Sequence, residues 1–148
     1  MIKSVSFQAI KPIIIEKLNN NGVVSITVKG SSMLPFYKDS ITIVSLSKPI
    51  LPFKKFDVIL YNTDHGTVLH RIIKVRKDVL KTTGDALMKV EVVRYDDVIA
   101  VVSSYNNGKK EILANNRWVL LKVKCWVFLK PLRRIILSIL RRVRANGK

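Results

Sequence analysis

Apolar residues at the start of this chain recur at helical spacing. Phe7, Ile10, Ile14 and Leu18 share one face of a 3.6-residue period, and Gly22 follows as a stop signal, which predicts an N-terminal helix within 1–22. Pro12 fits that helix best in its first turn, where a missing N–H costs nothing. The period then changes to two. Val24, Ile26 and Val28 alternate within a β-branched run that begins at Val23, the pattern of a strand. Further strands are predicted at 41–44 and 58–61, the second closed by the turn residues of 62–66. Segments 67–75 and 79–83 predict a hairpin around Lys77-Asp78, and 98–104 with 110–113 another around Asn106-Asn107-Gly108. Six or seven short strands punctuated by turn signals predict a mainly β (α+β) fold, with an antiparallel β body over 23–114.

The end of the chain returns to the helical period. Trp118, Leu121, Cys125 and Phe128 form one series; Leu132, Ile135, Ile136, Ile139, Leu140 and Val143 form a second. Pro131 lies between them, where a first-turn proline is tolerated. A helix, a break and a second helix are therefore predicted over 115–148, with 118–121 as an alternative extension of the sheet.

Charge separates the same two regions. The 148 residues carry 27 Lys+Arg against 10 Asp+Glu, a net charge of +17. All ten acidic residues lie within 1–111, whereas 112–148 hold ten basic residues and no acid. Such an excess suits nucleic acid, an anionic membrane face or an acidic partner. No nucleic-acid recognition motif accompanies it, so no nucleic-acid partner is expected. A basic amphipathic tail suits an anionic membrane surface, with Trp118, Trp126, Arg133, Arg134, Arg141 and Arg142 as the contacts. The alternative is that the apolar stripe docks on the β body while the arginines are solvated.

Composition narrows the remaining classes. With 48% apolar and 25% charged residues the chain is not of disordered type. The single cysteine, Cys125, excludes an internal disulfide framework and a Cys-rich zinc site, and reads as a small apolar residue. No apolar run is longer than 125–129, which is far below the ~18–20 residues that cross a bilayer. The first ten residues lack the order of a secretory signal. These readings predict a cytoplasmic protein, peripheral at the inner membrane face. His65, in a turn cluster, reads as a loop residue, and with two histidines in the chain no metal and no cofactor is expected.

Two segments suggest chemistry. Gly30-Ser31-Ser32-Met33-Leu34-Pro35 follows the first strand, with Gly30 free to take a tight turn and Pro35 fixing the exit. Ser32 is thus held on a constrained turn. His70 lies inside the apolar strand Val68-Leu69-His70-Arg71-Ile72-Ile73, on the opposite face from Leu69 and Arg71. A serine hydroxyl needs a nearby base to act as a nucleophile, and a neutral imidazole supplies one. The spacing alone also suits a turn serine and a structural histidine.

These residues resemble the serine and base boxes of the S24/S26 peptidases, the family of signal peptidases and LexA-type self-cleaving repressors. Phe56-Asp57-Val58-Ile59-Leu60 resembles the strand between the two boxes. Thr83-Gly84-Asp85 resembles the Gly-Asp turn beyond them, and Asp96-Asp97-Val98-Ile99-Ala100-Val101-Val102 the closing strand. The five segments occur in the family's order across 23–104. With His70 where many members carry lysine, the resemblance is to the endoplasmic-reticulum, archaeal and sporulation type. It implies Ser32 as nucleophile, His70 as general base and Asp85 as the residue that orients it, with Glu91 as the rival orienter. Asp96 and Asp97 read as strand-entry residues. The Ser32 backbone N–H is the implied oxyanion donor; Gly30 stands where some members add a hydroxyl, and Ser31 points away. Met33 and Pro35 are implied to shape the turn. Phe56 replaces the family's glycine, Ala86-Leu87 replaces the residues usual after the Gly-Asp turn, and an N-terminal membrane anchor is missing. The resemblance implies a serine endopeptidase acting on an extended peptide or precursor. The alternative is a non-catalytic peptide- or membrane-binding module that keeps the fold.

Overall fold

The computed structural model describes residues 7–129 and, beyond them, Leu132, Ile135, Ile136, Ser138, Ile139 and Arg142. Helix α1 (Phe7–Asn19) opens these residues and buries Ile14 and Leu18, with Phe7 and Ile10 packed beside them. Pro12 lies beyond the first turn of the described helix rather than within it. Eight strands follow: β1 (Val24–Thr27), β2 (Ile43–Ser47), β3 (Val58–Thr63), β4 (Gly66–Val75), β5 (Val79–Thr83), β6 (Glu91–Arg94), β7 (Val98–Asn106) and β8 (Glu111–Leu113). Helix α2 (Arg117–Phe128) comes last among the named elements. The molecule is therefore mainly an antiparallel sheet with one helix on each side of it in sequence.

The sheet runs β1-β2-β7-β3-β4-β5-β6, with β8 paired to β7, and every pairing is antiparallel. β3 lies between β4 and β7 and is buried on both faces, which is why 58–61 reads as an unbroken apolar run. Val58 and Leu60 enter one core with α1, Met33, Tyr37, Val44 and Leu46. Ile59 and Tyr61 enter a second with Phe53, Ile72, Leu80 and Val93. Each fully buried aliphatic side chain of this kind contributes about 1.5–3 kcal/mol.

Two strand expectations change. The strand predicted at 41–44 begins at Ile43 instead, because Thr42 closes the preceding loop: its carbonyl accepts from Val28 N and its N–H donates to Lys38 O. β6 has no counterpart among the predicted strands. It is a short edge strand in which only Val93 is buried, so its alternation is too brief to register.

The segment 118–121 belongs to α2, not to the sheet. Asn116 caps α2 by accepting from Trp118 N at 2.9 Å. Ile135, Ile136, Ser138, Ile139 and Arg142 are helical. Arg133, Arg134 and Arg141, expected as membrane contacts, lie outside the described residues. No described helix is long and apolar enough to cross a membrane.

Candidate active site

The turn carrying Ser32 is built by backbone. Gly30 has φ +87°, a conformation costly for any residue with a Cβ, and its N–H donates to Asp39 Oδ1 at 2.7 Å. Leu34 N donates to Ser31 O and Tyr37 N to Met33 O, while Met33 and Tyr37 are buried in the first core. Ser31 is exposed and Ser32 half-buried. Neither the N–H nor the hydroxyl of Ser32 makes a hydrogen bond within the described residues.

The Ser32 carbonyl is fixed instead by the turn after β5. It accepts from Ala86 N at 2.8 Å, and Gly84 packs so close that a Cβ there would lie 2.6 Å from it. The glycine of the Gly-Asp turn is thus demanded by this approach. β4 pairs with β5 through Arg71↔Thr83 and Ile72↔Thr82, and continuing that register by one step sets Gly84 opposite His70. Gly84 therefore adjoins both segments of interest. No hydrogen bond joins Ser32 to His70 among the described residues.

His70 is buried at 5% exposure and has a defined set of partners. Its Nδ1 lies 3.0 Å from the Tyr61 hydroxyl and 3.5 Å from Glu91 Oε2. Tyr61 donates its one proton to Glu91 Oε2 at 2.5 Å, and Thr82 Oγ1 donates to Tyr61 at 3.1 Å. With that proton committed to a carboxylate, the Tyr61 oxygen acts as an acceptor toward His70. The network assigns the proton of neutral His70 to Nδ1 and leaves a lone pair on Nε2.

Burial pushes the His70 pKa below its ordinary 6.5; Glu91 and then Asp85 pull it back in part. The ring is therefore neutral at pH 7. Glu91 is held below the usual carboxylate range, chiefly by the hydrogen bond from Tyr61. Burial drives the Tyr61 phenol well above its ordinary value, so it stays protonated.

Asp85 does not reach the imidazole. His70 and Arg71 are consecutive in a strand and face opposite sides of the sheet, and Asp85 lies on the Arg71 side. Arg71 Nε and Nη2 grip its two oxygens at 2.8 and 2.7 Å, and Nη1 donates to Phe56 O at 3.0 Å. The expected Asp85–His70 contact is corrected to Asp85–Arg71, and the carboxylate beside His70 is Glu91. Asp96 and Asp97 occupy a single 3-10 turn (Tyr95–Asp97) leading into β7.

Trp126 is likewise not a surface residue. It is 8% exposed, donates from Nε1 to Asp85 O at 2.7 Å, and meets the Phe36 ring edge-on at 6.4 Å. The expectation of Trp126 as a membrane contact is corrected: it fastens α2 to the 84–86 turn. Phe36 in turn lies under the Arg71 guanidinium at 5.3 Å. Trp118 is 73% exposed and Arg142 is exposed.

Tyr61, Thr82 and Arg71 were not among the expected site residues. Arg71 carried a readable signal, because an arginine inside an apolar strand requires a buried partner. Tyr61 and Thr82 carried none, since aromatic and β-branched residues are ordinary in strands. Comparison with models of known protein families and with curated proteins finds no match for this chain.

Proposed function

We propose that the chain is a serine endopeptidase of signal-peptidase type that cleaves a peptide bond in an extended peptide or precursor, on a LexA/signal-peptidase-like fold. The observation that carries this reading is a neutral, buried His70 whose Nδ1 proton is fixed by Tyr61 and Glu91, together with a turn whose Ser32 hydroxyl and N–H make no hydrogen bond among the described residues. Ser32 Oγ attacks the scissile carbonyl and its proton passes to His70 Nε2. The imidazolium that forms is stabilised by the Tyr61 oxygen and the Glu91 carboxylate, and the Ser32 N–H meets the developing oxyanion. His70 then protonates the leaving amine, and the same base activates water to release the acyl group. Asp85 and Arg71 act as a scaffold for the serine-bearing turn. This mechanism requires a Ser32–His70 hydrogen bond in the substrate complex, since catalytic hydrogen bonds are often loose in unliganded enzymes.

The test is cleavage of a peptide library by the purified chain, compared with Ser32→Ala and His70→Ala. Loss of cleavage in both variants supports the reading, and cleavage that persists in either overturns it. One observation favours the other class, a peptide-binding module without catalysis: no hydrogen bond links Ser32 to His70. Peptide binding by the wild type with no cleavage, and equal affinity in both variants, would decide for that class.

A further inference from the structure

Helix α2 presents its apolar stripe to the outside. Its buried residues are Val123 and Trp126, whereas Trp118, Leu121, Cys125 and Phe128 are exposed. The same spacing carries on through Leu132, Ile135 and Ile139, also exposed. From Trp118 onward the steps are three, four, three, four, three and four residues, an unbroken heptad series. Fractional exposure of its large apolar members runs from 49% at Leu132 to 85% at Phe128. Scattered exposed apolar residues need no explanation, but a periodic series of them does.

Charge selects the occupant. The series lies in a stretch, 112–148, with ten basic residues and no acidic one. A second copy of the same stretch would bring two strongly cationic helices together without a compensating carboxylate. By sequence, Pro131 also disfavours the continuous helix that a coiled coil requires. An anionic lipid surface satisfies both the apolar series and the charge, because apolar side chains sink to the headgroup boundary while Lys and Arg meet phosphate.

We propose that α2 docks this protein on an anionic bilayer surface through Trp118, Leu121 and Phe128, flanked by Arg117, Lys122 and Lys124. Trp126, on the inner side of the same helix, holds the 84–86 turn beneath it. Membrane docking therefore fixes the Ser32 turn relative to the bilayer.

The test is co-sedimentation of the full chain with vesicles of neutral phosphatidylcholine, and with vesicles containing about one-third phosphatidylglycerol. Binding to the anionic vesicles is expected to exceed binding to the neutral ones at least tenfold and to fall with added salt. A Trp118→Ala/Phe128→Ala variant is expected to lose at least tenfold in binding while keeping its circular dichroism and Tm, since both side chains are exposed. Trp118→Phe should abolish the vesicle-induced shift in tryptophan emission, leaving only the buried Trp126. Ser32→Ala should bind vesicles as the wild type does, which separates this proposal from the peptidase reading. Equal binding to both vesicle types, wild-type binding by the double variant, or absence of binding overturns it. So does a Trp118-dependent dimer in solution, or capture by an acidic helical peptide in preference to vesicles.

Discussion

His70 Nδ1 lies 3.0 Å from the Tyr61 hydroxyl, and that hydroxyl spends its own proton on Glu91. The relation makes the tautomer of His70 depend on a residue that is neither acid nor base at neutral pH. Replacing Tyr61 with Phe removes the acceptor of the Nδ1 proton, and Glu91 at 3.5 Å is too distant to replace it fully. Cleavage by Tyr61→Phe should fall by roughly tenfold to a thousandfold, short of the ~10⁴-fold lost when the orienting carboxylate of a full triad is neutralised. A nitrogen NMR spectrum of the His70 ring should then show a mixture of tautomers where the wild type shows one. A single unchanged tautomer in Tyr61→Phe would contradict the assignment.

Glu91 pulls the His70 pKa up against burial, which pushes it down. Glu91→Gln should therefore move His70 to a still lower pKa, and the acid limb of kcat/KM should move with it. Under the proposed peptidase reading that limb is expected below pH 6.5 in the wild type, because a His70 base must be neutral and its pKa is lowered by burial. Proton NMR titration checks the shift directly, with the His70 resonance assigned by comparison with His65→Gln. An acid limb that moves upward in Glu91→Gln would count against this electrostatic account.

The same shift has a stability consequence. The folded His70 pKa is lower than the unfolded one, so between the two values the unfolded chain binds more protons and stability rises with pH. Stability should decline as pH falls from about 6.5 toward the folded pKa. Glu91, also depressed, adds a second loss as pH falls below its ordinary 4.5. Urea midpoints measured across this range should show the first decline flatten in His70→Gln, and an unchanged slope in that variant would refute the assignment.

Most of the fold was legible: α1 and β1 lie where helical spacing and alternation set them, and β3, β4, β5, β7 and β8 lie where apolar or β-branched segments between turn signals set them. The edge strand β6 was not, and with it went the physical setting of Glu91, which reaches Tyr61 and His70 from that edge. The face of α2 was also misleading. Trp118, Leu121, Cys125 and Phe128 form the regular series, yet it is Val123 and Trp126 that turn inward. The reason is local: the Asp85 carbonyl and the Phe36 ring offer the indole a hydrogen bond and an edge-on contact that spacing cannot foresee. Asp85 is the same kind of case, since a carboxylate near both His70 and Arg71 goes to the buried guanidinium that can grip it with two bonds.

Phe56 occupies the position where the resemblance expects glycine, and its φ is +81°. Two hydrogen bonds hold it there: Phe56 N donates to Ile72 O, and its carbonyl accepts from Arg71 Nη1. A residue with a Cβ in this region is strained by roughly 1–2 kcal/mol. Phe56→Ala and Phe56→Gly both lose the ring and its contact with Lys55, so their difference isolates the backbone. Phe56→Gly should be the more stable by about 1 kcal/mol in denaturant unfolding. Equal stability would mean that the turn relaxes rather than storing strain.

Arg71 and Asp85 are both almost fully buried and satisfy each other. Arg71→Met strands a buried carboxylate and should cost about 3–5 kcal/mol, whereas Arg71→Met/Asp85→Leu should cost much less. A double variant as unstable as the single one would show that the pair stabilises through its bonds to Phe56 and Phe36 rather than through mutual compensation.

Gly84 offers the sharpest test of how Ser32 is positioned. A Cβ added there would lie 2.6 Å from the Ser32 carbonyl oxygen and 3.0 Å from the Leu87 side chain. Leu87 can yield, but the Ser32 carbonyl is backbone and is already engaged with Ala86 N. Gly84→Ala must therefore push the serine-bearing turn away from β5, at a cost of about 1–3 kcal/mol, the usual range for overpacking. Its effect on cleavage should exceed its effect on stability: at a temperature where the variant is fully folded, kcat should fall at least tenfold while the His70 titration stays in place. The imidazole is held by Tyr61 and Glu91, neither of which contacts the Ser32 turn through a hydrogen bond among the described residues, so displacement of Ser32 should leave it in place. A variant with unaltered kcat would mean that Gly84 spaces the turn without setting the nucleophile.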